Sequence, residues 1–162
     1  MEVTTDKERT TIVLFSGELD KAIAAFIIAN GAAAYDHDVT IFFTFWGLNA
    51  MRKDEVVKTD KGLLEKMFGW MMPRGARKLG LSKMNMMGMG PVMIKHVMKK
   101  HHALTLPQLI ELAQEQGVKL VACTMTMDLL GLKREELIDG MELAGVGAYL
   151  GDATRAKVNL FI

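Results

Sequence analysis

Lys119-Leu120-Val121-Ala122-Cys123-Thr124-Met125-Thr126-Met127-Asp128 is the stretch whose reading decides the fold. Gly117 closes the helix that precedes it. Residues 120–122 are then a short apolar run, the pattern of a buried strand in a parallel sheet. The run ends at Cys123, and the polar Thr124, Thr126 and Asp128 follow. In open α/β sheets, ligands and chemistry gather at the carboxyl ends of the strands. Cys123 is therefore the candidate nucleophile, weighed against the common fate of a lone cysteine as a small buried hydrophobe.

The flanking chain repeats the strand–helix alternation. Upstream, residues 10–15 (Thr-Thr-Ile-Val-Leu-Phe) form a β-branched strand ending at Ser16-Gly17. Glu18, Leu19 and Asp20 open an apolar helix that runs to about Ala34, its acids in the first turn where the helix dipole favours them. Few of its positions are charged, so cover on most sides is expected. Residues 39–45 form a second, central strand, with Trp46-Gly47-Leu48-Asn49-Ala50 beyond it. Residues 51–61 are charged and read as an exposed connection. Thr105 with Pro107 marks a helix start. Downstream, residues 133–138 read as a short charged helix and 141–144 as a strand. A glycine-rich helix over 145–156 follows, then a last strand over 157–162, alternating or fully buried. Strand, helix and strand with short joints specify parallel pairing. The expectation is one domain over residues 1–162, five parallel strands with helices on both faces.

Residues 62–102 interrupt this alternation. Leu63, Leu64, Met67, Phe68 and Met71 have helical spacing up to Pro73, and a basic piece with Arg74, Arg77, Lys78 and Lys83 comes next. Met84-Asn85-Met86-Met87-Gly88-Met89-Gly90-Pro91 then leads into a second short helix ending at His101-His102. The pattern predicts a Met-rich helical insertion without a strand. A Cu(I) thioether site at these methionines is set below an apolar cover or contact surface, for which Met is suited. A lid over Cys123 or a subunit contact is favoured over rest on a membrane interface.

Composition narrows the function. Twenty basic and 19 acidic residues nearly cancel, so no global field draws the chain to nucleic acid. A single cysteine excludes an internal disulfide and points to a reducing, cytoplasmic setting. The amino terminus lacks the apolar core of a signal peptide, and no run reaches the roughly 20 residues of a membrane span. Without Cys-x-x-Cys there is no internal dithiol cycle, but one thiol can hold a sulfane sulfur as a persulfide. Ionisation of that thiol requires help: a helix starting near Asp128 or Leu132, or a cation from elsewhere. His37, His96, His101, His102, Lys99 and Lys100 are the candidates, each more simply read as a solvated side chain. Ser16-Gly17-Glu18-Leu19-Asp20 has no phosphate-binding glycine pattern, and its acids disfavour phosphate. Ser16, Gly17, Thr44, Asn49, Thr124 and Asp128 are expected to line a pocket at Cys123. No cofactor or metal is expected.

Four segments together resemble a known family. They are Ser16-Gly17-Glu18-Leu19-Asp20-Lys21-Ala22, Thr44-Phe45-Trp46-Gly47-Leu48-Asn49-Ala50, Cys123-Thr124-Met125-Thr126-Met127-Asp128-Leu129-Leu130-Gly131 and Gly145-Val146-Gly147-Ala148-Tyr149-Leu150. They are similar to the DsrE/DsrF-like sulfur-relay superfamily, in particular a Met-rich DsrE-like subgroup. The resemblance implies a three-layer α/β/α sandwich on a five-stranded parallel sheet, assembled as a homo-oligomer. It further implies a sulfur carrier or sulfurtransferase-like protein that accepts a persulfide on one cysteine, here Cys123, and passes sulfur from a donor protein to an acceptor. The alternative is a non-catalytic oligomeric ligand-binding module in which Cys123 is structural.

Overall fold

A computed structural model describes residues 7–162. Five parallel strands form one sheet in the order β4-β3-β2-β1-β5. They are β1 (Arg9–Leu14), β2 (Asp38–Phe43), β3 (Lys119–Cys123), β4 (Met141–Ala144) and β5 (Val158–Phe161). Six α-helices connect them: α1 (Leu19–Ala34), α2 (Leu63–Met71), α3 (Met89–Lys100), α4 (Leu106–Glu115), α5 (Thr124–Leu130) and α6 (Val146–Ala153). Helices cover both faces, as the strand–helix alternation implies. The α4 start is as read: the Thr105 amide donates to Gln108 Oε1 at 2.9 Å, with Pro107 in the first turn.

The two faces differ in depth. Alternate residues of the central strands (Ile12 and Leu14, Ile41 and Phe43, Leu120 and Ala122) join the main core under α1 and α4. Leu19, Ala25, Phe26, Leu109 and Ile110 fill that layer. The residues between them, Val13, Phe42, Val121 and Cys123, form a separate small cluster, with only Ala144 and Tyr149 packed against it. Tyr149 comes from α6, a helix with no buried residue.

Three expectations fail here. The last strand is neither buried nor alternating: β5 is a sheet edge, and Val158, Asn159 and Phe161 are exposed. The helix α1 is not covered on most sides, since Ile27 and Ile28 are exposed. Nor is the 51–61 connection wholly exposed: Met51 is 0 % and Arg52 1 % accessible. Arg52 bridges Leu137 across an isolated antiparallel pair. Its guanidinium donates to Gly69 O and Pro73 O at the carboxyl end of α2, where the helix dipole favours a cation. Glu136, 1 % accessible, faces Arg52, Lys61 and Arg74. Burial first, and then the neighbouring Arg74, lower the Arg52 pKa, against the pull of Glu136. This buried ion cluster clamps the start of the 62–102 segment to the body. Charge read along a line of sequence signalled solvent; in space those charges neutralise one another.

The 62–102 segment adds α2 and α3 and no strand. Its later part is tied to the start of α1. The Leu19 amide donates to Gly80 O at 2.7 Å, and Ser82 donates through amide and hydroxyl to the Asp20 carboxylate. Side chains of α1, α3 and α4 (Ile23, Ile27, Ile94, Met98 and Leu109) line a shared apolar cavity. This later part therefore lies on the α1/α4 face, while α2 packs beside α5, with Glu65 against Gly131. Cys123 belongs to the other face, and no side chain of this segment packs against its cluster, so the segment is not a lid over the cysteine.

Candidate active site at the carboxyl edge of the sheet

Register places the candidate residues. Phe43 pairs with Ala122, and Cys123 with Ala144. One step beyond Phe43, Thr44 lies level with Cys123 on the adjacent strand end. Leu14 pairs with Phe43, which sets Phe15 and Ser16 at the same edge. The carboxyl ends of four neighbouring strands thus meet where α/β folds hold their chemistry.

Cys123 is the last residue of β3 and directly precedes α5. The helix begins at Thr124, not near Asp128 or Leu132 as expected. The amides of its first turn follow the thiol immediately. The sulfur is nevertheless covered: Cys123 is 3 % accessible, against Val13, Phe42, Val121, Ala144 and Tyr149. The Tyr149 ring leans on Phe42, with centroids 5.1 Å apart. The cluster that holds Cys123 is thus closed from the α6 side by one aromatic side chain on one thin helix.

The expected pocket residues scatter. Thr44 is half-buried, and its hydroxyl bonds that of Thr126 at 2.9 Å, tying the end of β2 to α5. Ser16 is half-buried, and its amide donates to Ile162 O. Gly17 lies against Trp46: a Cβ there would stand 2.9 Å from Trp46 O. Gly47 is tighter still, its added Cβ only 2.0 Å from Leu14 O, so the 3-10 turn Phe45–Met51 presses onto the end of β1. Asn49 is buried in that turn, its Oδ1 without a hydrogen-bond partner. Thr124 is half-buried and Asp128 exposed on α5. Five well-formed cavities among the described residues are lined neither by Cys123 nor by any of these six. Cys123 itself is closed off at this edge, at 3 % accessible.

The cationic candidates are elsewhere. His37 bonds Thr10 Oγ1 at 2.9 Å and lies 3.4 Å from Glu8, near the amino end of β1. His96, Lys99, Lys100, His101 and His102 are exposed on or after α3. Two residues at the sheet edge were missed. Thr126 sits within the quoted stretch, but its partner across the sheet is invisible in sequence. Tyr149 was quoted only as part of a motif, and its period on a glycine-rich helix gave no sign that it would cap the thiol.

The model of the DsrE/DsrF/DrsH-like family matches residues 6–161. The chain is 72 % identical over 160 residues to the uncharacterized protein YrkE of Bacillus subtilis, covering 99 % of this chain and 100 % of that one. It is 37 % identical over 162 residues to the sulfur carrier protein DsrE2 of Allochromatium vinosum, covering 97 % and 99 %. Among solved structures it is similar to the ychN protein from E. coli, with TM-score 0.54 and 13 % identity, over 95 % of this chain and 99 % of that one. It is equally similar to the protein MTH1491 from Methanobacterium thermoautotrophicum, with TM-score 0.55 and 13 % identity, over 96 % and 100 %. These two likenesses concern the fold.

Proposed function

The chain belongs to the DsrE/DsrF/DrsH-like family, and from that membership we propose that it carries sulfane sulfur on Cys123 and hands it to a partner protein. The observation that supports this most is the place of the only thiol: the carboxyl end of a central strand, one residue before a helix. In the loading step the Cys123 thiolate attacks the outer sulfur of a donor persulfide. A new S–S bond forms at Cys123 as the donor's S–S bond breaks, and the donor leaves as a thiolate with the bonding pair. In the unloading step an acceptor thiolate attacks the outer sulfur on Cys123, and the Cys123 thiolate departs. No net oxidant is consumed in either step.

Because the sulfur is covered, both steps require α6 to swing Tyr149 away. A helix without a buried residue is suited to this, since local opening is cheapest where few apolar contacts hold an element. Donor and acceptor are then proteins able to displace α6 at the strand edge. The exposed Val146 and Leu150 of α6, with Phe161 on the same face of the sheet, support a homo-oligomer, which sedimentation of the purified chain would reveal.

Intact-mass spectrometry after incubation with a small-molecule persulfide donor tests the assignment. The chain gains one sulfur atom, Cys123→Ser gains none, and added acceptor thiol removes the adduct. An equal gain in the substituted chain refutes the role of Cys123.

The burial of Cys123 among apolar side chains favours one other reading, an oligomeric binding module in which the cysteine only packs. In that case Cys123→Ala leaves every property but core stability unchanged, and the native thiol resists alkylation.

A further inference from the structure

We propose that the 62–102 segment is a docking surface for an anionic lipid bilayer, which the protein contacts from one side without crossing it. The argument stands on exposure and charge and makes no use of Cys123.

Among the described residues, 27 large apolar side chains are exposed, and 14 of them lie in this quarter of the chain. On α2 they include Leu63 (85 %), Leu64, Phe68, Trp70 (86 %) and Met71; on the turn and α3 they include Met87, fully exposed, with Met89, Val92, Met93 and Val97. Solvated monomers rarely present so much contiguous apolar sequence. Nor is α2 free to turn these groups inward. The buried Arg52 and Glu136 cluster holds its carboxyl end, through Gly69 O and Pro73 O, with the apolar side chains outward.

Charge selects the occupant. Residues 62–102 carry eight Lys and Arg against one acid, Glu65. The rest of the chain carries 12 basic and 18 acidic residues. The near-neutral total thus hides a strongly cationic apolar segment on an anionic body. Apolar side chains interleaved with Lys and Arg, with an exposed Trp among them, match the boundary between acyl chains and anionic headgroups. A fluid bilayer accepts long, irregular projections such as Met87 and Trp70 without a shaped groove, which a folded protein partner would have to supply. The anionic body is repelled by the same membrane, which fixes orientation. No helix among the described residues is long and apolar enough to cross a membrane. The lid drawn from sequence is set aside because no side chain of this segment packs against the Cys123 cluster, and a bilayer is preferred to a subunit contact because of the charge asymmetry hidden in the total.

Flotation of the full chain with vesicles tests this. We expect co-flotation with vesicles of phosphatidylcholine containing about one third phosphatidylglycerol and none with phosphatidylcholine alone. Binding weakens at least tenfold between about 0.05 M and about 0.5 M salt as the screening length shrinks. In a Trp46→Phe background, Trp70 emission shifts to the blue on the anionic vesicles. Leu63→Ser with Trp70→Ser, and separately Lys99→Gln with Lys100→Gln, each reduce binding at least fivefold. All four positions are exposed, and unchanged circular dichroism and melting confirm that these variants fold. Equal binding to both vesicle types, or absence of binding to either, overturns the proposal. So does self-association that buries Trp70 and is lost in the same variants, which would assign the surface to a second copy.

Discussion

Phe42 and Phe43 are adjacent on β2 but serve opposite faces of the sheet. Phe43 lies in the main core beneath α1 and α4, where its ring stacks near Phe26 with centroids 6.1 Å apart. Phe42 lies in the small cluster with Cys123, under Tyr149 of α6. One face is a thick apolar layer that supplies the stability. The other is a single helix over four buried side chains. The chain has put its only thiol on the face that costs least to open.

The sharpest way to break this comparison is to truncate both rings. Phe43→Ala is expected to cost about 3–5 kcal/mol, the range for a large aromatic removed from a core that cannot collapse. Glu136→Ala comes next, at about 3–4 kcal/mol, because it strands Arg52, Lys61 and Arg74 without their shared carboxylate. Phe42→Ala should cost about 1–2 kcal/mol less than Phe43→Ala, since α6 can settle into the gap. Urea unfolding of the three variants measures all of this, and equal costs for the two phenylalanines would abolish the distinction between the faces. Tyr149→Ala sharpens it from the other side. It should change global stability little yet raise the rate of Cys123 alkylation about tenfold, equivalent to ~1.4 kcal/mol of easier local opening.

The smallest expected effect lies where the 62–102 segment meets α1. Burial raises the Asp20 pKa, but the amide and hydroxyl of Ser82 outweigh it and hold the carboxyl below its ordinary value. A carboxylate with a depressed folded pKa contributes stability that is fully present above its unfolded pKa and lost as pH falls through the depressed one. Asp20→Asn should therefore lower the neutral-pH melt slightly and leave the acid melt nearly unchanged, so that the acid-side loss of stability becomes slightly shallower. Melting curves at acid and neutral pH report it.

The sheet was legible because its signals are local. The apolar runs of residues 10–15 and 39–45 led into turn glycines and that of 120–122 followed one, and the Thr105 cap with Pro107 marked α4 without ambiguity. What was not legible depended on partners distant in sequence. Arg52 and Glu136 read as solvated charges because their neutralising contacts span more than 60 residues. The exposure of β5 depended on its becoming a sheet edge, which the order of strands decides and the residues of 158–161 do not. The place of Cys123 was readable, whereas its cover was not, since Tyr149 lies 26 positions away on a helix that buries nothing completely. The charge of the 62–102 segment was present in the sequence throughout, masked by a balanced total.

The central claim is that the thiol becomes available through a local movement of α6 while the rest of the fold stays intact. Alkylation of Cys123 in the native chain, timed against global unfolding under the same conditions, tests it most directly. The account predicts modification far faster than unfolding, with the main core around Phe43 still protected from hydrogen exchange. Modification only at the rate of global unfolding would contradict it and leave Cys123 as a packing residue.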